Sequence, residues 1–331
     1  MKRFVFIFFC ICIILPGYSQ LGGTHSFDFL NLNTNPRSIA LGGYIPSVID
    51  GDINIGIYNP SLINPLMINN IVFNYTPYYA DIIYGNVGYG FNFSNINFLS
   101  SLKFINYGEL LETNEFGQEI GYFNAGEYVF SLGVGKLILD SLLRVGVNYK
   151  MAYSSLYDVN SLSVLFDFAA TYRVPYNDIL FSLIIKNLGY QLIPYYSGNR
   201  ESLPFEILLG FSNKLKHVPL RWHLTFQHLE QPDLNFNNSN SQIPLNNNFG
   251  YSILKHIVLG AEILFHQNLS LFLGYNNRKR VEMALEDRRG LVGFSCGFLF
   301  KIQRFQFSYS RNLHHYSNPI NSFGIITNLS K

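Results

Sequence analysis

The chain has 331 residues, of which only 13% are charged while 16% are aromatic, with 23 Tyr and 30 Phe against a single Trp. So few charges make a poor solvated surface, yet Asn, Ser and Gly are interleaved with the apolar residues throughout, which suits walls with one apolar side. Lysine plus arginine number 23 against 21 acidic residues. That balance excludes the clustered basic footprint that nucleic-acid binding needs.

Residues 1–19 read as a cleaved signal peptide: Lys2 and Arg3, an unbroken apolar run from Phe4 to Leu15, then Gly17 and Ser19 before a cut at Gln20. The run falls short of the roughly 20 residues that span hydrocarbon as a helix. Cys10 and Cys12 lie inside it, so Cys296 alone follows the cut and no internal disulfide can form.

Residues 20–70 do not alternate and carry Pro36, Pro46, Pro60 and Pro65 with two Gly-Gly pairs. They predict an irregular segment with one short helix near Pro36 to Leu41, which folds into a barrel or closes its periplasmic end, because irregular backbone at membrane depth must be buried in protein.

From residue 71 to 331 apolar residues recur with period two. Leu143, Val145, Val147, Tyr149, Met151 and Tyr153 alternate with Arg144, Gly146, Asn148, Lys150 and Ala152, placing one residue class on each face of a strand. The pattern predicts fourteen strands, near 71–78, 83–93, 96–107, 126–137, 142–153, 159–173, 178–187, 204–215, 218–228, 255–266, 269–277, 290–301, 304–311 and 321–329. Many reach the ~9–11 residues that cross a bilayer when tilted. The fold class is thus all-β: a transmembrane antiparallel barrel of about fourteen strands with an N-terminal plug.

Links after even strands are short, with turn chemistry at Asn95, Asp140, Pro175-Tyr176-Asn177 and Asn268. The long links, 108–125, 188–203, 229–254, 278–289 and 312–320, all follow odd strands. Short turns facing the periplasm and long loops facing outward explain the asymmetry and predict both termini in the periplasm of a Gram-negative outer membrane. The loop 229–254 is Asn-rich. Residues 278–290 hold Arg278, Lys279, Arg280, Glu282, Glu286, Asp287, Arg288 and Arg289: a partly self-neutralising loop, or a docking surface for a partner protein.

Inward-facing Arg144, Lys150, Asp167, Arg173, Glu206, Lys214 and Glu262 are expected to pair within the lumen, with Arg37, Asp50 or Asp52 of the plug among the partners, since Arg or Lys facing lipid costs about 2–4 kcal/mol at the midplane. Gly293-Phe294-Ser295-Cys296-Gly297 matches the G-x-S-x-G elbow of hydrolases but lies mid-strand, where that motif needs a strand-to-helix turn. Ser100 to Lys103 and Ser252 to Lys255 match S-x-x-K without its companion motifs. Asp50-Gly51-Asp52-Ile53-Asn54 begins like a calcium loop, but Ile55 and Ser61 stand where that loop needs Gly and Glu. His314-His315 does not form a metal pair on an extended chain. No catalytic residue, metal or cofactor is expected.

Several segments carry a resemblance. Phe29-Leu30-Asn31-Leu32, Pro36-Arg37-Ser38-Ile39-Ala40-Leu41-Gly42-Gly43, Asp50-Gly51-Asp52 and Asn59-Pro60-Ser61-Leu62 resemble the N-terminal pattern of PorQ-like and PorV-like proteins of the bacterial type IX secretion system. Asn106-Tyr107-Gly108, Asn114-Glu115-Phe116-Gly117, Gly126-Glu127-Tyr128, Gly274 to Arg278, Gly293-Phe294-Ser295 and Tyr309 look like the PorQ type in particular. The resemblance implies a barrel related to FadL-type fatty-acid transporters and adapted to secretion. It also implies contacts with a sortase-like partner and a PorV-like barrel, alongside outer-membrane lipids. On that view Arg37, Gly42, Gly43, Asp50, Asp52, Asn59 and Pro60 form a structural or partner-binding plug motif. The alternative is a FadL-like transporter of hydrophobic small molecules; a barrel lipase is the weakest expectation.

Overall fold

The computed structural model describes residues 25–45, 47–138, 142–176, 178–232, 234, 249–283, 290–313 and 319–329. The signal peptide, most of the Asn-rich loop, Asp140, Asn177, the stretch 284–289 and His314-His315 lie outside the described residues.

Fourteen strands run β1 Asn70–Pro77, β2 Ile83–Phe93, β3 Ile96–Thr113, β4 Glu119–Ile138, β5 Leu143–Leu156, β6 Val159–Arg173, β7 Ile179–Ile193, β8 Glu206–Lys214, β9 Leu220–Phe226, β10 Ile257–His266, β11 Leu269–Asn276, β12 Phe294–Ile302, β13 Phe305–Asn312 and β14 Ile320–Asn328. Each pairs antiparallel with the next, and β1 pairs with β14, Asn70 opposite Asn328, closing the barrel. Closure leaves no sheet edge in the membrane. The pleat sorts the residues as the alternation requires: Phe130, Phe166, Phe168, Phe181, Phe298 and Phe307 are exposed outward, while Ser131, Asn148, Asp167, Ser182, Ser295 and Ser308 are buried inward. Among the described residues no helix is long and apolar enough to cross a membrane.

Two strand boundaries differ from the sequence expectation for one reason. The alternation breaks at Gly108, whose φ is +76°, and at Asn187, whose φ is +58°, and both breaks are bulges rather than ends. The register slips between Asn106 and Glu109, and β3 continues to Thr113 against a β4 that starts at Glu119. Across β6 and β7 it slips around Asp167, and β7 continues to Ile193. The predicted loop 108–125 is therefore largely strand, and 188–203 is strand as far as Ile193. Conversely, the predicted starts of β10 at 255 and β12 at 290 are too early. A helix, Phe249–His256, precedes β10, and the turn 290–293 precedes β12.

Residues 25–69 fill the lumen. Asn-Pro dipeptides set their turns. Asn35 caps helix α1, Pro36–Ala40, by accepting from the Arg37 amide at 3.0 Å. Asn59 caps the 3-10 turn Pro60–Leu62 at 3.1 Å and Asn64 caps Pro65–Met67 at 2.9 Å. In each the side-chain oxygen satisfies an orphan N–H and proline stands at the first helical position. A helix that the sequence reading missed, α2 at Ile53–Tyr58, is capped by Asp52; it is buried on several sides, so no amphipathic period marks it. Helix α1 ends where Gly42 and Gly43 turn left-handed, φ +93° and +121°, with Gly43 N donating to Ser38 O at 2.8 Å.

The described chain starts at the long-loop end, where Ser26 N donates to Ser202 O at 3.1 Å, and leaves at the short-turn end, where Leu329 N donates to Asn69 O at 2.7 Å. Between these two points the plug runs from one mouth of the barrel to the other before joining β1.

Candidate functional site

Three groups of contacts fix the plug to the wall. The first centres on Arg37 of α1, whose side chain is 6% exposed. Its Nε and Nη2 each donate to Glu262 of β10 at 3.0 Å, a two-pronged contact, while Nη1 reaches Asp50 Oδ2 at 2.7 Å and Asp52 Oδ2 at 3.3 Å. Arg221 of β9 donates to Glu262 from the other side at 2.8 Å, and His223 Nε2 stands 3.3 Å from it. The guanidinium lies over the Phe272 ring, 5.7 Å from its centroid. A charge taken out of water is tolerable when it is paired and hydrogen-bonded on every side, and Arg37 uses three of its nitrogens. Burial by itself would raise the Asp50 carboxyl, but the Arg37 guanidinium overcomes that and holds it below its ordinary 3.8. Asp52, sharing the same guanidinium with a like charge beside it, goes the other way: burial pushes it up.

The second group surrounds the β7 bulge. Lys150 Nζ pairs with Asp167 at 2.6 Å and Lys186 Nζ with Glu206 at 2.7 Å. The Asn187 amide donates to Asp167 Oδ1 at 2.8 Å, which satisfies the bulged backbone. The plug joins through the Tyr44 hydroxyl, which donates to Glu206 at 3.0 Å, and through Asn31, whose Oδ1 accepts from Asn187 at 3.1 Å. Lys103 of β3 donates to the plug carbonyls of Leu30 and Leu32.

The third group is steric and neutral. Asn59 and Ser61 reach Thr171 of β6 at 3.4 and 2.7 Å, and the Pro60 carbonyl sits so close to β4 and β5 that a Cβ on Gly146 would lie 2.2 Å from its carbon. Opposite, Ser295 of β12 donates to Ala40 O at 2.9 Å and accepts from Gly42 N at 3.1 Å. The serine of the G-x-S-x-G string is thus a plug contact on a strand. A Cβ on Gly42 would lie 2.5 Å from Val258 Cγ1, so both the left-handed backbone and the close approach require glycine there.

The seven plug-motif residues are accordingly spread over the wall: Arg37, Asp50 and Asp52 share one cluster, Gly42 packs against β10 and β11, Gly43 faces Lys279, and Asn59 and Pro60 meet β4 to β6. Of the loop cluster, Arg278, Lys279 and Arg280 lie on a helix, Asn277–Met283. Arg278 pairs with Glu282 at 2.7 Å, and Arg280 donates to Val292 O at 3.1 Å, so both are tied down within the loop. Asp287, Arg288 and Arg289 lie outside the described residues. Lys279 faces the long-loop cavity, where burial, helped by Arg278, lowers its ammonium to about 8. Among the inward charges, Lys150, Asp167, Glu206 and Glu262 pair in the lumen as expected. Arg144 and Arg173 instead stand at the short-turn rim, with Arg173 3.2 Å from Asp178 in solvent, and Lys214 is exposed there. Sequence reasoning missed Lys186, Arg221, His223 and Tyr44. Lys186 sits where the alternation breaks, which was its only signal.

Cavities flank the plug at both mouths. One of about 570 Å³ opens at the short-turn end between Arg37, Asp50, Asp52, Lys214, Arg221 and Lys301; another of about 230 Å³ opens at the long-loop end beside Asn31, Tyr44, His228 and Lys279. On the outer wall Val134, Val147, Phe168, Ala170 and Leu183 line an apolar groove of about 340 Å³, with Gly135 and Gly146 between it and Pro60.

These features define a bacterial outer-membrane β-barrel with an internal plug. No protein-family model and no curated protein matches the sequence. Solved structures do. The toluene transporter TbuX of Ralstonia pickettii superposes with a TM-score of 0.54 at 12% identity, over 90% of this chain and 98% of that one. The toluene transporter TodX of Pseudomonas putida gives 0.51 at 11% identity, over 89% and 97%. A FadL homologue from Pseudomonas aeruginosa gives 0.48 at 10% identity, over 90% and 98%. At such identities the likeness concerns fold: the chain is a FadL-like closed barrel of fourteen strands with its N-terminal segment packed inside.

Proposed function

We propose that the protein is a non-enzymatic outer-membrane channel for hydrophobic small molecules, in which the plug governs passage. The observation that carries this reading is an N-terminal segment clamped inside a barrel whose architecture is shared from end to end with two toluene transporters. The plug occupies the lumen between the two cavities, so a solute moves only when part of the plug does. The neutral contacts at Asn59 to Ser61 are the ones whose release costs least, because no buried charge is left unpaired there. Short turns face the periplasm and the long-loop mouth faces outward; the C-terminal end is then periplasmic and His25 lies toward the outside.

A second reading is the one implied by the type IX resemblance: a component of that secretion and surface-attachment machinery that works through a sortase-like exported partner and a PorV-like barrel. The filled lumen favours it, since the plug motif residues are occupied in holding the plug. Purification from outer membranes in mild detergent separates the two. A barrel recovered alone with bound hydrophobic solute supports the channel; stoichiometric recovery of a sortase-like exported protein supports the second reading.

A further inference from the structure

The β3–β4 hairpin outgrows the barrel. β2 pairs with β3 only as far as Asn106, opposite Ile83, and β5 pairs with β4 only from Ala125, opposite Leu156. Beyond those points Glu109 to Thr113 and Glu119 to Asn124 pair with each other alone. The seven residues from Tyr107 to Thr113 carry this ribbon roughly 24 Å along the strand direction, at the long-loop end. A two-stranded ribbon by itself is marginally stable in water. Tyr157, beyond the end of β5, buttresses the ribbon from the β4 side: its ring lies 5.0 Å from that of Phe123 of β4, and its hydroxyl reaches across to donate to Glu112 Oε1 of β3 at 2.6 Å. Along the β3 side, from Glu109 to Thr113, no described residue adds a strand.

Side chains narrow what fits that edge. Leu111, Phe116, Ile120 and Tyr122 are exposed, Phe116 to 87%, which a purely solvated hairpin does not call for. Between Lys103 and Lys136 there is no lysine or arginine, whereas Glu109, Glu112 and Glu119 stand on the ribbon and Glu115 in its turn. Charges on an edge strand repel a second copy of the same edge, so two copies of this chain do not pair here, while opposite charges placed across strands stabilise pairing. We infer that the free β3 edge is a docking strand for an extended segment of another polypeptide that carries lysine or arginine and adds beside Glu109 to Thr113, covering Leu111. Main-chain hydrogen bonds supply the affinity and the glutamates select the charge of the partner. The inference stands whether or not the barrel conducts.

The test uses the full-length protein in detergent and three fluorescent nonapeptides: alternating lysine and valine, the same peptide N-methylated at alternate residues so that it cannot pair as a strand, and a glutamate–valine version. Anisotropy titrations are run against the native chain, the double variant Glu109→Lys/Glu112→Lys, and a variant in which residues 110–123 are replaced by Asn-Gly. The lysine–valine peptide is expected to bind the native chain, and to lose at least about tenfold in affinity on N-methylation, on the exchange of lysine for glutamate and on shortening of the hairpin; the double variant is expected to prefer the glutamate peptide. Heat-modified gel mobility reports that each barrel is closed. Absence of binding, equal binding of the N-methylated peptide, or equal binding to the shortened hairpin overturns the inference.

Discussion

At the scale of residues, the lumen is organised by charges that would be intolerable alone. Glu262 accepts from Arg37 of the plug and from Arg221 of the wall at once, so its removal takes the paired carboxylate from Arg221 and leaves Arg37 with the two aspartates alone, and removal of Arg37 takes the paired cation from Asp50 and Asp52 and leaves Glu262 with Arg221. Breaking such a buried set from one side costs about 3–5 kcal/mol. Arg37→Ala is therefore expected to loosen the plug by that amount while the strand pairing of the barrel survives. Limited proteolysis will show it as faster cleavage within residues 25–69 with gel mobility of the barrel unchanged. The same cluster gives a pH dependence. Because the folded Asp50 carboxyl is held below its ordinary 3.8, its contribution is complete above that value and is lost as the pH falls through the lower, folded one. Asp50 thus adds an acid limb to plug protection below the ordinary aspartate range, while the raised Asp52 carboxyl favours the folded plug as it is protonated above that range; Asp50→Asn should shrink the acid limb and leave the slope from Asp52 in place.

At the scale of elements, contact between plug and wall depends on missing side chains as much as on present ones. A Cβ at Gly146 meets the Pro60 carbonyl at 2.2 Å against backbone that cannot swing away, so Gly146→Ala is expected to cost about 1–3 kcal/mol and to displace the Pro60–Leu62 turn. On the channel reading this variant leaks more hydrophobic solute than the native protein, measured as uptake by cells expressing each. Strand existence was legible from the period-two pattern because each face of the wall meets a single solvent. Bulges were not legible: Gly108 and Asn187 break the alternation just as a strand end does, and only the partner strand distinguishes the two. The plug helix α2 was hidden for a related reason, being enclosed by apolar clusters rather than lying on one surface. Arg37, Asp50, Asp52 and Glu262 could each be selected from sequence as lumenal charges, but that Arg37 bridges the two aspartates to Glu262, more than two hundred residues away, is found only in three dimensions.

At the scale of the molecule, strands of very different length share one barrel. β3 and β4 have 18 and 20 residues, while β9 and β11 have 7 and 8. Crossing a bilayer takes about 9–11 residues when strands are tilted, so the tall side stands beyond the rim at the long-loop end. On the channel reading the plug sets what crosses between the mouths, a role separable from the docking strand inferred on the tall side. The most direct measurement of the channel claim ties the plug to the wall. With Cys296 replaced by serine, Ser61→Cys and Thr171→Cys place two thiols where hydroxyl oxygens now stand 2.7 Å apart. Uptake of radiolabelled toluene is followed in a Gram-negative host with an intact lipopolysaccharide layer. A channel governed by the plug takes up toluene with the pair reduced, as the native chain does, and loses that uptake on oxidation. Uptake that is equal in the two states, or no greater than in cells lacking the protein, contradicts the account.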